Sequence, residues 1–119
     1  MTLKVYQYPK CNTCRKALKW LDAHSVTVDS IDITEQPPSK IELKEMLKHY
    51  NGDLRRLFNT SGQLYREFKI KDELPSMSAT EAIDLLSKNG KLIKRPFLLT
   101  KHAGLVGFKQ EEWETASFS

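Results

Sequence analysis

Tyr8-Pro9-Lys10-Cys11-Asn12-Thr13-Cys14-Arg15-Lys16-Ala17 holds both cysteines of the chain, three residues apart. A strand-like run, Leu3-Lys4-Val5-Tyr6-Gln7, precedes it, and a helix-like run from Arg15 to His24 follows. A Cys-x-x-Cys at a strand-to-helix junction is a place where a thiol can be held as a thiolate. Unpaired backbone N–H groups and partial positive charge at the helix start favour the ionised sulfur. Lys10, Arg15 and Lys16 add formal charge nearby. Residues i and i+3 of a first helical turn lie about 5–6 Å apart, within the reach of a disulfide. The pattern predicts nucleophilic or redox use of Cys11, with Cys14 pointing from the first turn toward the sheet.

Two plainer readings compete. A closed structural zinc site needs four ligands. The chain has no second Cys pair, and His24, His49 and His102 are scattered. Two inert buried thiols are the other alternative, and the basic surroundings of Cys11 argue against it there.

Outward from the motif, Cys14, Ala17, Leu18 and Leu21 form the helix's inner stripe. A second strand is expected over about 27–33, rich in Val and Ile (Val28, Ile31, Ile33, after Val26). Strand, helix and strand of this size imply a parallel pair with a right-handed crossover. Gln36-Pro37-Pro38-Ser39 then stops the strand, and Ser39 with Glu42 predicts a capping box for a helix running to Tyr50. Asn51-Gly52 ends it. Short helical pieces are expected over 53–58 and 64–68, with a turn at Asn59-Thr60-Ser61-Gly62. Ser78 with Glu81 caps a further helix whose inner face is Ala82, Ile83, Leu85 and Leu86. Strands at 97–100 and 105–108 make a hairpin around His102-Ala103-Gly104, and a short helix closes at 110–116. The sum is an α/β architecture: a mixed four-stranded sheet, βαβ then β-hairpin, with an α-helical insertion. One domain is expected over 1–119, with its core at 1–35 and 91–119 and the insertion at 36–90.

A chain of 119 residues, 39% hydrophobic and 29% charged, fits a soluble globular protein able to bury a core without structural disulfides. No apolar stretch approaches the ~20 residues of a membrane span. A strand begins almost at Met1, so no leader is expected, and a reducing cytoplasm is the default location. The net charge of +4 is dispersed among acidic residues, which argues against direct nucleic-acid binding.

Three features together resemble the ArsC/Spx family of thioredoxin-like proteins: the Cys11–Cys14 motif, the helical insertion with Asn59-Thr60-Ser61-Gly62, and Leu92-Ile93-Lys94-Arg95-Pro96-Phe97-Leu98. The resemblance implies a thioredoxin-like core. It implies that Cys11 is the reactive cysteine and Cys14 the second cysteine of redox-switch members. It also implies that Arg95 is the active-site arginine, and that Pro96 is a proline in cis opposite the sulfur. The family's arsenate reductases use two further arginines, where this chain has Asn59 and Phe108. Arg55, Arg56 and Arg66 are the candidate substitutes. The departures weigh against arsenate reduction, because an oxyanion needs several charge-assisted donors. Cys14 favours a thiol–disulfide oxidoreductase with an internal disulfide. No metal or organic cofactor is expected. Glutathione with glutaredoxin, or thioredoxin, is the expected reductant, and the protein is expected to be a monomer. The alternative is an Spx-like redox-sensing regulator that binds the RNA polymerase α C-terminal domain. Gly52 lies where such proteins make that contact, although the regulators carry a longer polar tail than a chain ending at Ser119.

Overall fold

The computed structural model describes residues 3–118. Strand β1 (Leu3–Gln7) leads into helix α1 (Asn12–Ala23), and β2 (Val28–Asp32) returns parallel to β1, with Leu3 opposite Val28 and Gln7 opposite Asp32. Strands β3 (Phe97–Leu99) and β4 (Gly104–Val106) form a hairpin, and β3 pairs antiparallel with the free side of β1. The sheet is therefore mixed and four-stranded, in the order β2-β1-β3-β4.

The strands' two-residue alternation builds a core on each face. Val5, Leu98 and Leu105 point to one side, where Ala17 and Leu21 of α1 and Trp113 of α6 (Gln110–Thr115) cover them. Tyr6, Phe97 and Val106 point to the other. There they meet Leu43 and Met46 of α2 (Lys40–His49) and Ala82, Ile83 and Leu86 of α5 (Ala79–Lys88). The expected α/β architecture, with helices on both faces, is what the chain forms.

Between α2 and α5 run a 3-10 turn at Leu54–Leu57, α3 (Gln63–Glu67), α4 (Ile70–Glu73) and a 3-10 turn at Leu74–Ser76. Both predicted capping boxes are formed. Ser39 Oγ accepts from the Glu42 N–H at 3.2 Å, and Glu42 accepts from the Ser39 N–H at 3.0 Å. Ser78 and Glu81 repeat the exchange at 3.1 and 3.2 Å. Asn51 and Gly52, at φ 57° and 81°, end α2 in left-handed backbone.

Three details depart from expectation. The second strand is shorter than 27–33, although Ile33 is fully buried and its N–H still bonds Gln7 O at 2.9 Å. The hairpin strands are also shorter: β3 ends at Leu99, where the Thr100 N–H closes the turn on Ala103 O at 2.8 Å, and β4 ends at Val106, before Gly107 takes φ 70°. Helix α4 is additional; Lys69, at φ 52°, breaks the chain between α3 and α4.

Long-range contacts tie the insertion to the sheet. Gly90 passes so close to the end of β2 that a Cβ there would stand 1.8 Å from Ile33 O. The Tyr50 hydroxyl accepts the Val106 N–H of β4 at 3.0 Å and donates to Glu112 Oε1 at 3.4 Å. Arg56 pairs with the same carboxylate at 3.3 Å and lies over the Tyr50 ring, 4.6 Å from its centroid. Among the described residues no helix is long and apolar enough to cross a membrane.

Candidate active site

The turn after β1 is closed by the Cys11 N–H, which donates to Tyr8 O at 3.0 Å. Cys11 then takes an extended conformation (φ −96°, ψ 117°) and serves as the N-cap of α1. Its Sγ accepts the Cys14 N–H at 3.3 Å, the role a Ser or Asp oxygen usually plays. Asn12 and Thr13 are exposed, Cys11 is half-buried and Cys14 is wholly buried. Both thiols are free.

The two sulfurs titrate in opposite directions. Burial pushes the Cys11 thiol up, but hydrogen bonds from the Cys14 side chain and backbone, together with the Arg95 guanidinium, outweigh it and leave its pKa below the ordinary thiol value. Burial pushes Cys14 up to about 12, and the neighbouring Cys11 sulfur pushes the same way. The same turn thus favours ionisation of one cysteine and disfavours it in the other.

Arg95 reaches this turn from the loop before β3. Its guanidinium lies over the Tyr8 ring, 4.9 Å from the centroid, and Nη1 donates to Lys91 O at 3.5 Å. The Arg95–Pro96 peptide bond is cis, and the buried Pro96 accepts the Gly107 N–H on its carbonyl at 2.9 Å. Arg95 also contributes to holding the Asp32 carboxyl below its usual range. The larger cause there is the Thr34 side chain and N–H, both donating to Asp32. Cys11, Cys14, Arg95 and Pro96 therefore come together, whereas Gly52 stands apart, exposed at the end of α2.

A cleft of about 390 Å³ opens beside Arg95, walled by Tyr8, Asn59, Gly62, Glu67 and Lys91 among others. None of Arg55, Arg56 and Arg66 lines it. Arg66 turns back to Ser61 O at 3.3 Å, and Arg56 is held by Glu112. Phe108 packs edge-on to Trp113 and Trp20, with centroids 5.2 and 6.5 Å away. Sequence reasoning missed Lys91 as a wall residue and Tyr8 as the platform for Arg95. Tyr8 opens one quoted motif and Lys91 adjoins another, but only the fold brings them together. Among the described residues no group of three or more His, Cys, Asp or Glu side chains is placed to hold a metal.

The sequence pattern of the ArsC family matches residues 6–116. The uncharacterised protein YusI of Bacillus subtilis is 48% identical over 114 residues, covering 96% of this chain and 97% of that protein. The global transcriptional regulator Spx of Streptococcus mutans is 30% identical over 104 residues, covering 87% of this chain and 74% of the regulator. The crystal structure of an ArsC family related protein from Bacteroides fragilis superposes with a TM-score of 0.90 at 43% identity, over 96% of each chain. The thioredoxin-like α/β fold and the extent of these matches lead to one assignment: the chain belongs to the ArsC family, among relatives that include Spx-type regulators.

Proposed function

We propose that the protein is a cytoplasmic thiol–disulfide oxidoreductase in which Cys11 is the nucleophile, Cys14 the resolving thiol and Arg95 the thiolate-stabilising cation. The observation that carries the reading is the placement of two free cysteines on one helical turn, the half-buried Cys11 sulfur capping α1 by accepting the Cys14 N–H at 3.3 Å and Cys14 wholly buried behind it, a setting that favours ionisation of the first and disfavours it in the second. The Cys11 thiolate attacks one sulfur of a partner disulfide. A Cys11–partner bond forms, the partner's S–S bond breaks, and its other sulfur leaves as a thiolate. Cys14 then transfers its proton to that leaving thiolate and attacks Cys11 Sγ. The Cys11–Cys14 disulfide closes and the second partner sulfur is released. The partner is reduced by two electrons, and a thiol reductant such as glutathione with glutaredoxin, or thioredoxin, restores the dithiol.

Arsenate fits the site less well. The cleft beside Arg95 offers Lys91 as a second cation but also carries Glu67, and Asn59 and Phe108 supply no charge. Turnover should be measured with arsenate, glutathione and glutaredoxin, beside an assay with a protein disulfide. Reduction of the disulfide with little arsenate turnover is expected. Efficient arsenate reduction with no disulfide exchange overturns the assignment.

A second reading rests on a different surface. An apolar groove of about 540 Å³ runs between α2 and α5, walled by Leu47, Ala79 and Ile83, rimmed by Lys44 and Lys48, and ending at Gly52. This groove supports a contact with the RNA polymerase α C-terminal domain, in which the cysteine pair switches binding and turns over no substrate. Pull-down with that domain, using reduced and oxidised protein, separates the readings. Redox-dependent capture without disulfide turnover favours the regulator.

A further inference from the structure

The dithiol has a second flank, whose wall shares no residue with the cleft of Arg95 and which neither reading uses. Thr13, one of the two residues between the cysteines, walls a cleft of about 470 Å³ together with Arg55, Arg56, Lys94 and Lys109. A neighbouring cleft of about 690 Å³ shares Asp53, Arg55 and Thr60 with it and continues to Lys71. The shared residues make the two clefts one trough, leading away from the cysteine turn.

The charge of the trough is one-sided. Asp53 is the one carboxylate in its walls, against five cations. Arg56 is committed to Glu112. Among the described residues, Arg55, Lys71, Lys94 and Lys109 make no ion pair. The backbone also makes room for one of them. Gly107 is in left-handed conformation at φ 70°, and a Cβ there would stand 2.9 Å from Lys94 Cε. The absence of a side chain at Gly107 lets the Lys94 stem lie across β4's exit and deliver its ammonium to the trough.

We infer that this trough docks an acidic polypeptide segment of the disulfide partner, so that proteins with carboxylates beside their reactive cysteine are the preferred substrates. The inference rests on the thiol–disulfide reading of Cys11. A chain laid from Thr13 toward Lys71 would place its cysteine at the Cys11 turn and its carboxylates along Lys94, Lys109, Arg55 and Lys71. Opposite charge at this range accelerates encounter and is weakened by salt.

The test uses full-length protein and peptides of a short and a long length, each in three forms that differ only in the residues flanking one cysteine: glutamates, glutamines or lysines. The cysteine is carried as its 2-thiopyridyl disulfide. Cys11 attacks the peptide sulfur, the peptide–thiopyridyl bond breaks, and 2-thiopyridone leaves with the electron pair, which its absorbance reports. At low salt the glutamate peptide should react about tenfold faster than the glutamine peptide, with the lysine peptide slowest, and salt should erase the difference. The glutamate-to-glutamine rate ratio should fall to about one in Lys94→Gln/Lys109→Gln. Arg55→Gln/Lys71→Gln should lower it only for peptides long enough to extend beyond Thr60. Adduct formation with no charge preference, or a preference retained in both double variants, overturns the docking inference alone. The same Lys94/Lys109 dependence for oxidised glutathione makes the trough a small-molecule site and overturns it too. Failure of every peptide to form an adduct removes the thiol–disulfide reading and this inference together.

Discussion

At Cys11, burial opposes ionisation while the Cys14 thiol, the Cys14 N–H and Arg95 promote it, and the promoting groups win. Each can be removed separately. In a Cys14→Ser background, Arg95→Ala should raise the Cys11 pKa, read from thiolate absorbance, with the fold retained because Arg95 is only half-buried. Arg95→Lys should recover part of the effect, since it keeps the charge without the planar fork. Cys14→Ala should raise the Cys11 pKa more than Cys14→Ser does, because the hydroxyl still donates and the methyl does not. An unchanged pKa in folded Arg95→Ala reduces that arginine to a partner for Tyr8. Iodoacetamide at neutral pH should label Cys11 first, and peptide mapping should find Cys14 unmodified until the protein unfolds. Its burial and its pKa of about 12 both withhold it.

Among the elements, those with local chemical punctuation could be read in advance. Ser39 and Glu42, Ser78 and Glu81, and Asn51-Gly52 mark helix ends through groups a few residues apart, and the structure uses all of them. Ser78→Ala should cost about 1 kcal/mol of stability in urea unfolding, through the orphaned Glu81 N–H. A midpoint unchanged from the parent removes the capping box from the account. Helix α4 carries no such mark, and it starts where Lys69 takes φ 52° with no side-chain cap, a backbone choice that a lysine does not announce. The site divides the same way. Cys11 and Cys14 announced themselves by spacing, and Arg95 by its junction with Pro96. Tyr8 did not, because a turn far away in the chain brings it to Arg95, and Lys91 did not, because only the fold of its own segment turns its carbonyl toward Arg95 four residues on. Arg55, Arg56 and Arg66 show the limit of composition: charge can be counted in a sequence, but not which cleft receives it.

For the molecule as a whole, the raised pKa of Cys14 makes folding sensitive to alkali. The folded state holds this proton more tightly than the unfolded chain does. The stabilisation is whole below the ordinary thiol value of 9.0 and is lost as pH rises toward about 12. The slope contributed reaches at most about 1.4 kcal/mol per pH unit. Comparing Cys11→Ser with Cys11→Ser/Cys14→Ala isolates it, since burial, its largest cause, remains in the first variant. The double variant should decline less steeply with pH above 9.0, the ordinary thiol value. Parallel declines mean that the buried thiol does not govern alkaline stability. The Tyr50 hydroxyl acts on the same scale in another way. β4 is the last strand of its sheet, and a last strand offers its outward N–H groups to any extended chain that arrives. At Val106 that offer is already taken, by a side chain from the end of α2. Tyr50→Phe would reopen it beneath an intact fold, and sedimentation of the variant should show concentration-dependent association that the parent lacks. One phenolic oxygen would then be what closes this side of the sheet, and keeps the protein dispersed when crowded.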